Sequence, residues 1–373
     1  MDPALRQIVE RIRAAAADAT PLCIRGGGTK DFHGETPRGE RLGTAALAGI
    51  TSYEPSELVV TVRAGTPLAE LEAALAEKGQ CLPFEPPHFG EKGDAGTVGG
   101  MVATGLSGPA RASVGAVRDY VLGAALVNGR GEVLNFGGQV MKNVAGYDVS
   151  RVLAGSLGTL GVIAEVSLKV LPVAPAEATL EFACSQADAL RLLNEWGGRP
   201  LPLNASCWFG DAGAGTLRLR LRGAVAAVEA ACTHLGGERQ DNARAAADWQ
   251  LLRDQQLPWV ASTAEGPDAL WRLSVPQTAP VLALDGAAPL IEWHGGQRWY
   301  KAPPEQAARI RGIAHAAGGH ATLFRLPAGA GTRSSVAPRF DALSAPVERI
   351  HRALMREFDP HRIFNRGRLF ADE

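Results

Sequence analysis

Three consecutive glycines near the start of the chain constrain its fold more than any other feature. They lie within residues 25–30, RGGGTK, which follow the strand-like run at 22–24. In a helix or strand each glycine would cost roughly 0.5–1 kcal/mol relative to alanine, so the segment is predicted to be a loop. Successive backbone N–H groups in such a loop form a nest for an anion, typically phosphate. Arg25 and Lys30 would add positive charge, and a simple glycine hinge is the alternative.

Two further glycine-dense segments follow the first. Glycine makes up 44 of 373 residues, about 12%, against a usual share of roughly 7%. Residues 96–108, GTVGGMVATGLSG, have small side chains at nearly every other position and would let a flat or phosphorylated ligand approach the backbone. A tightly packed Gly/Ala helix is the alternative there. Residues 155–163, GSLGTLGVI, predict a tight turn before a strand. Together the three segments predict a ligand site.

Several function classes are disfavoured by composition and motif. The net charge, 38 − 39 = −1, gives no bulk attraction to nucleic acid or an anionic membrane. No G-x-x-x-x-G-K-[ST] occurs, and the glycines do not open a Rossmann unit with G-x-G-x-x-G. The five cysteines contain no C-x-x-C pair, which disfavours zinc and iron–sulfur sites. No signal peptide and no membrane span is expected, so a cytoplasmic protein is predicted.

Hydrophobic periodicity predicts the elements that position these motifs. The predicted elements are a helix at 4–17, strands at 22–24 and 58–62, a helix capped by Thr66 and ended by Gly79, a hairpin of 120–127 with 132–136, a strand at 162–170 with one buried face, and a helix at 225–235. Leucines alternate with Arg218, Arg220 and Arg222, whose face is expected to be solvated.

The order of these motifs resembles a known family. The three glycine segments are similar to the FAD domain of the vanillyl-alcohol-oxidase type, and within it to the FAD-binding subunits of bacterial glycolate oxidase (glycolate dehydrogenase). Further similar stretches are FEPPHFG at 84–90, FGGQVMKNVAGYD at 136–148 and FDPHRIFNRG at 358–367. The resemblance implies an α+β fold: a two-subdomain FAD-binding domain and a ferredoxin-like α+β second domain. With a boundary at the proline-rich residues 172–176, we expect domains at 1–174 and 175–340 and a returning segment at 341–373.

The resemblance also implies roles for individual residues. The FAD pyrophosphate would lie on the backbone of Gly26, Gly27, Gly28, Thr29 and Lys30. Residues expected along the flavin and ribityl chain are Gly99, Gly100, Thr104, Gly105 and Gly108. Residues expected at the adenine end, largely through backbone groups, are Gly158, Gly161, Val162 and Ile163. Asn365 would approach the isoalloxazine ring. His88 is a weak candidate for polarising a substrate, and a structural hydrogen bond is its alternative role.

Two departures from the family pattern shape the functional expectation. Family members with a histidine-linked flavin often carry that histidine in the pyrophosphate loop, where this chain has Thr29, Lys30 and Asp31. We therefore predict non-covalent FAD. Hydroxy acid dehydrogenases of the superfamily resemble one another in a metal site near H-x-G-D-G-N, whereas residues 315–323 read HAAGGHATL. This stretch predicts no metal site, and a helix end followed by a strand instead.

The resemblance implies an FAD-binding subunit of a glycolate or D-lactate dehydrogenase complex, which oxidises a small 2-hydroxy acid to the 2-oxo acid. The implied partners are a catalytic flavoprotein subunit and an iron–sulfur subunit, with no nucleic acid. Through these partners the chain could sit at the inner face of the membrane. One alternative is a self-sufficient FAD-dependent 2-hydroxy acid oxidoreductase. Another is a scaffold that has lost FAD, which the intact glycine loops disfavour.

Overall fold

A computed structural model describes most of the chain. The described residues are 2–36, 38–90, 96–138, 149–211, 213–261, 266–284, 288–327 and 337–370. Most of the family-like stretch at 136–148, from residue 139 onward, lies outside them. The chain divides into two compact units. The first comprises Met1–Leu106, Ala116–Pro172 and Ala342–Glu373, and the second Ser107–Gly115 and Val173–Asp341.

Both units contain helices and strands. The helices are α1 (Pro3–Asp18), α2 (Leu68–Ala76), α3 (Val98–Thr104), α4 (Arg111–Val114), α5 (Val149–Val152), α6 (Gln186–Gly197), α7 (Val225–Leu235), α8 (Asn242–Arg253), α9 (Pro258–Ala261), α10 (Ala307–Ala316) and α11 (Ala345–Phe358). The strands are β1 (Leu22–Arg25), β2 (Glu40–Gly43), β3 (Ile50–Glu54), β4 (Val59–Arg63), β5 (Gln80–Cys81), β6 (Val121–Val127), β7 (Val133–Gly137), β8 (Val162–Lys169), β9 (Leu171–Pro172), β10 (Ala176–Cys184), β11 (Leu203–Asp211), β12 (Ala214–Gly223), β13 (Glu238–Arg239), β14 (Ala269–Ser274), β15 (Leu290–Glu292), β16 (Gln297–Ala302) and β17 (His320–Arg325). Among the helices of the described residues, none is both long and apolar enough to cross a lipid bilayer.

The first unit is built on an antiparallel five-stranded sheet with strand order β3-β4-β8-β6-β7. Its larger core joins this sheet to α2 and α3. A second core joins α1 to β1 and to one end of β8. Strands β1 and β2 form a separate parallel pair, and Phe364 forms a parallel bridge with Leu22 of β1. The segment after α11 therefore lies beside the strand that leads into the glycine loop.

The predicted helix at 4–17, the strands at 22–24 and 58–62, and the 120–136 hairpin are confirmed. Two details of the first unit were predicted wrongly. Pro67, not Thr66, is the N-cap of α2, because the Thr66 hydroxyl bonds to Gly49 in a neighbouring turn. Strand β8 is covered on both faces, since Ile163 belongs to the larger core and Ser167 hydrogen-bonds to Thr61 in the sheet.

The second unit is one antiparallel eight-stranded sheet with order β13-β10-β12-β11-β15-β16-β14-β17. Strands β10–β13, with α6 and α7, have the order fourth-first-third-second of a ferredoxin-like βαββαβ motif. Strands β14–β17, with α10, repeat that order in the mirror direction along the sheet. The two ferredoxin-like halves join where β11 pairs with β15. This arrangement is the α+β second domain that the resemblance implies.

The arginine face of β12 was expected to be solvated, but other side chains cover it. Arg218 forms ion pairs with Glu181 at 2.5 Å and with Asp248 of α8 at 2.7 Å. Arg220 is 3% exposed, and its guanidinium lies 4.9 Å from the ring centroid of Trp249 on α8. Helix α8 therefore packs on this face, because its acidic and aromatic side chains satisfy the arginines.

Candidate functional site

The first glycine loop leaves β1 and passes directly against the start of α3. A Cβ atom on Gly26 would lie 2.2 Å from Oγ1 of Thr97, a distance that no side chain tolerates. Thr97 caps α3 by accepting a hydrogen bond from the N–H of Gly100. Gly28 has φ +80°, and its Cβ would lie 2.2 Å from the Arg25 guanidinium. Both glycines are thus required by close approach or backbone conformation.

Positive charge surrounds this loop. Lys30 is 8% exposed, and its Nζ lies 5.7 Å from the ring centroid of Phe89. The Arg25 Nε donates to Asp31 at 2.7 Å, so part of its charge is already compensated. Arg368 donates to the carbonyl of Lys30 at 3.1 Å, and burial lowers its pKa. The loop therefore combines turned backbone with buried cations, as an anion requires.

Residues 98–104 form a packed helix, which is the alternative considered for the second glycine segment. A Cβ on Gly99 would lie 2.6 Å from the Cβ of Ala64, so Gly99 lets α3 pack against the residue after β4. The Thr104 hydroxyl donates to the carbonyl of Gly100 at 2.8 Å within the helix. Gly105 ends α3 in a left-handed conformation, with φ +63°. These residues hold the helix whose first turn faces the first loop.

Gly108 belongs to the second unit by its contacts, whereas the other predicted cofactor residues belong to the first. Its carbonyl accepts a hydrogen bond from the indole N–H of Trp293 at 3.0 Å. Arg111 stacks on the same indole at 4.4 Å, and Ser113 bonds to Nε2 of His294 at 2.9 Å. Trp293 and His294 both have positive φ, and burial lowers the pKa of His294 to about 4. The segment that follows α3 is therefore anchored within the second unit.

The third glycine segment and the C-terminal stretch meet at Asn365. The side-chain oxygen of Asn365 accepts from the N–H of Ile24 at 2.7 Å, and its Nδ2 donates to the carbonyl of Leu157 at 2.6 Å. A Cβ on Gly158 would lie 2.6 Å from that Nδ2. Asn365 is 5% exposed. It connects β1 to the turn before β8 and so fixes two of the predicted cofactor segments together.

The remaining residues of the third segment have backbone roles. Gly161 has φ +144°, and its Cβ would lie 2.5 Å from the carbonyl oxygen of Val127. Val162 pairs with Val127, and Ile163 pairs with Leu126, in the ladder between β6 and β8. The side chains of Val162 and Ile163 are buried in hydrophobic cores. A ligand could meet these two residues only through their backbone.

His88 has an acidic partner on α2. Its Nε2 lies 2.9 Å from Oε2 of Glu72 on α2, and both side chains are 30% exposed. The adjacent Phe89 packs edge-on against Phe32 at 5.3 Å and contacts Lys30. The loop at 84–90 thus lies beside the glycine loop, while the ring of His88 is tied to α2.

Of the two histidines in residues 315–323, His315 has a side-chain partner and His320 lies in the ladder between β14 and β17. Helix α10 ends at Ala316 and β17 begins at His320, as the sequence predicts. His315 Nε2 lies 2.8 Å from Oδ2 of Asp341, and that same oxygen accepts from the N–H of Ala321 at 3.3 Å. Within the part of the chain that the structure describes, no group of three or more His, Cys, Asp or Glu residues could hold a metal ion.

The residues around the first loop fit the FAD that the resemblance implies. The test is structural: Gly26 lets the loop approach Thr97 at the start of α3, Gly28 supplies a left-handed turn, and Lys30 and Arg368 are buried cations next to this backbone. Sequence analysis missed two supporting residues, Arg368 and Phe89. The only signal for Arg368 was the basic character of the residues after Asn365.

Comparison with known proteins decides the family. The chain is 45% identical over 365 residues to glycolate oxidase subunit GlcE of Escherichia coli (strain K12), covering 98% of this chain and 97% of that protein. The chain belongs to the GlcE family. It is an FAD-dependent oxidoreductase family member, and residues 5–137 match the family model described as an FAD binding domain.

Other relatives of this GlcE-family chain match only part of it. D-lactate dehydrogenase of Archaeoglobus fulgidus is 34% identical over 43% of this chain and 35% of its own length. Glycolate oxidase subunit GlcD of Bacillus subtilis (strain 168) is 31% identical over 45% of this chain and 36% of its own length. A solved structure of alkyldihydroxyacetonephosphate synthase covers 96% of this chain and 74% of its own, with TM-score 0.65 and 16% identity. That likeness shows the fold.

Proposed function

We propose that this chain is the FAD-carrying subunit of a complex that oxidises glycolate, or a similar small 2-hydroxy acid such as D-lactate, to the 2-oxo acid. The observation that carries the proposal is the likeness to glycolate oxidase subunit GlcE along nearly the whole length of both chains. The glycine loop at 26–30, with buried Lys30 and Arg368 beside it, supports FAD binding by this chain itself. FAD is held without a covalent bond.

The chain's own residues bind and orient the cofactor. Backbone N–H groups of 26–30 would hold the pyrophosphate, and Lys30 and Arg368 would offset its charge. Asn365 bonds both to β1 and to the turn at 157–158, so it holds these two segments at a fixed separation. Bound FAD supplies the two-electron acceptor chemistry, and the protein tunes and positions it.

We further propose that a catalytic flavoprotein subunit and an iron–sulfur subunit are the partners of this chain. The relative GlcD supports the first of these partners by its name, as a subunit of glycolate oxidase. The contacts of His315 support a division of labour, because its ring is committed to Asp341 and so serves the fold. In this proposal the catalytic flavoprotein subunit oxidises the substrate, and this chain takes part in electron transfer through its FAD.

The test is anaerobic mixing of the purified, FAD-loaded chain with glycolate and then D-lactate, followed at the oxidised-flavin absorbance band. We expect the band to persist with the chain alone and to bleach once the partner subunits are added. Rapid bleaching of the chain alone would contradict the accessory role and favour the self-sufficient oxidoreductase. A colourless protein that cannot be reconstituted with FAD would contradict both of these functions and favour the alternative of a scaffold that has lost FAD.

The complex is proposed to be cytoplasmic, with any attachment to the inner face of the membrane made by partner subunits. The structure motivates this through its helices, none of which, over the described residues, is suited to cross a bilayer. Cell fractionation with and without co-expressed partners tests it. Membrane association of the chain expressed alone would contradict the proposal.

A further inference from the structure

A basic pocket of about 130 Å³ lies in the first unit, on the side of α11 and the turn that follows it. The charged residues of its lining are four arginines and one aspartate: Arg352, Arg356, Arg362, Arg366 and Asp359. The hydroxyl-bearing Thr159 also lines it. Residues 343–370 contain six Arg and three acidic residues, 6 − 3 = +3, whereas the whole chain carries −1. Positive charge is therefore concentrated in this one segment.

Two of the four arginines are partly committed to the protein. Arg352 donates to Glu348 at 2.8 Å, and its guanidinium stacks on Phe370 at 4.5 Å. Arg366 donates to backbone carbonyls of the turn, including that of Arg362. Both side chains are thereby fixed in place at the pocket, and the guanidinium of Arg366 carries five N–H groups, more than its two backbone carbonyl partners use.

The other two arginines, Arg356 and Arg362, are exposed. Over residues 2–36, 38–90, 96–138, 149–211, 213–261, 266–284, 288–327 and 337–370, neither forms an ion pair with a carboxylate. Like charges that line one pocket repel one another, so an arrangement of this kind is stabilised by a bound anion.

The turn itself is built to place Arg362. Asp359 is 4% exposed, and its Oδ2 accepts from the N–H of Phe364 at 2.8 Å, while its carbonyl accepts from the N–H of Arg362 at 3.0 Å. Arg362 has φ +53°, a left-handed conformation that favours glycine. Arginine at this position is therefore held in a disfavoured conformation, which is typical of functional residues.

We propose that this pocket binds a phosphate group, either free phosphate or the phosphate of a monoester. A phosphate near neutral pH carries about −1.5 to −2 charges and three or more acceptor oxygens, enough to engage several guanidinium groups at once. A single carboxylate carries one charge and two oxygens, and leaves more of the +3 around the pocket uncompensated.

The first experiment titrates the FAD-loaded protein with inorganic phosphate by calorimetry at constant ionic strength. The protein is loaded with FAD because Thr159 lines the pocket and also lies in the turn at 158–161, which is predicted to bind FAD. Bound FAD keeps the added phosphate out of the predicted cofactor site. We expect saturable binding to the wild type, weaker by about tenfold in Arg356→Gln and in Arg362→Gln, since each removes one charge-assisted contact. Arg349→Gln, on α11 but outside the pocket lining, is the matched control and should bind as the wild type does.

Two more variants separate phosphate binding from folding, because one should lower the affinity for phosphate and the other should raise it. Arg362→Gly removes the charge but suits the left-handed backbone, so the phosphate-free protein should melt at the same temperature or higher while phosphate binding weakens. Asp359→Asn removes the negative charge, so phosphate should bind several-fold more tightly. Weaker binding in Asp359→Asn, in a variant that remains folded, would contradict the proposal.

The source of the phosphate is then distinguished with glycerol 3-phosphate and with phosphatidylcholine vesicles that do or do not contain phosphatidic acid. Competition by the soluble monoester identifies a small-molecule site, and arginine-dependent binding to the phosphatidic acid vesicles identifies a lipid headgroup. No saturable phosphate binding to the holoprotein, wild-type binding in both Arg356→Gln and Arg362→Gln, or equally tight binding of acetate, a single carboxylate, would overturn the inference.

Discussion

A single missing methyl group decides how close the glycine loop and α3 can come. At Gly26 the nearest atom is a side-chain hydroxyl that caps the helix, so even the smallest addition pushes the loop away from it. The surrounding residues cannot yield without giving up the cap. This makes residue 26 a more sensitive position than the more exposed Gly27 beside it.

We predict that Gly26→Ala abolishes retention of FAD through purification, because the added Cβ would displace the loop from Thr97. The measurement is the flavin-to-protein absorbance ratio of the purified protein. Gly43→Ala is the matched control, since a Cβ there would meet nothing within 4 Å. Full FAD content in Gly26→Ala would mean that the loop does not carry the cofactor.

His294 makes the second unit sensitive to acid. Its ring is 8% exposed and bonded to Ser113, and burial lowers its pKa from 6.5 to about 4. A histidine whose folded pKa is depressed contributes stability that is fully present above pH 6.5 and is lost as the pH falls through about 4. Over that interval the loss amounts to about 3 kcal/mol.

We predict that His294→Gln flattens the fall in unfolding free energy between about pH 6.5 and 4, because glutamine keeps a polar group near Ser113 but takes up no proton. Urea unfolding across this range measures it. The exposed His234→Gln serves as control and should keep the wild-type slope. An unchanged slope in His294→Gln would show that this ring is not buried as neutral histidine.

At the scale of elements, the segment after α11 acts as an extra edge for β1. Backbone hydrogen bonds join Leu22 to Ile363 and to Asn365. The Asn365 side chain adds two more, with the N–H of Ile24 and the carbonyl of Leu157. The φ of Asn365, +40°, also suits asparagine better than most residues. The element is therefore held by backbone pairing and by chemistry specific to this residue type.

We predict that Asn365→Ala destabilises the first unit by about 3 kcal/mol, because two buried backbone groups lose their partners. Asn365→Asp keeps the acceptor for Ile24 but places a buried carboxylate oxygen against the carbonyl of Leu157, so it should not restore the lost stability. Thermal unfolding and FAD content are the measurements. A loss of FAD without any loss of stability would instead indicate direct contact between Asn365 and the cofactor.

Local patterns predicted most elements of the first unit, because α1, β1 and the 121–137 hairpin follow from hydrophobic spacing and turn residues. The errors arose where a distant partner decides the outcome. Thr66 has the chemistry of a cap but bonds to Gly49, and Arg220 has the chemistry of a solvated residue but stacks on Trp249. Neither partner is visible in a local window of sequence.

The same limit applies to the cofactor residues. The glycines at 26 and 28 could be singled out from sequence, since steric room is a property of the residue itself. The support from Arg368 could not, because it depends on a contact across 338 positions. Their roles toward FAD remain predictions, whereas FAD binding by the family is established through the comparisons.

At the scale of the whole molecule, the sheet of the second unit is a doubled motif without a detectable sequence repeat. The strand order is the same in both halves, yet only the first half has a described helix between its first two strands. Strand order depends on pairing between residues far apart, so it left no periodic signal in the sequence. For the same reason the sequence did not indicate that residues 107–115 belong to the second unit, because contacts with distant residues decide this and not position along the chain.

We predict that acid precipitation of the holoprotein releases all of its FAD into the supernatant. His33, the histidine closest in sequence to the glycine loop, is 4% exposed and packs beside Phe32, so its ring is not presented for attachment to a flavin. Flavin fluorescence of the washed pellet and of the supernatant measures the partition. Yellow colour that stays with the pellet would contradict non-covalent binding.

The bridge between β1 and the segment at 363–368 has a consequence for the timing of biosynthesis. A ribosome adds about 5–20 residues per second, and the hydrogen bond from Ile24 to Asn365 joins residues 341 positions apart. The glycine loop is therefore made tens of seconds before the residues that brace it. All of 173–341 emerges in the interval, so the second unit has time to fold first. Cofactor capture becomes a closing step, and a nascent chain halted at residue 341 would hold the loop without Asn365 or Arg368.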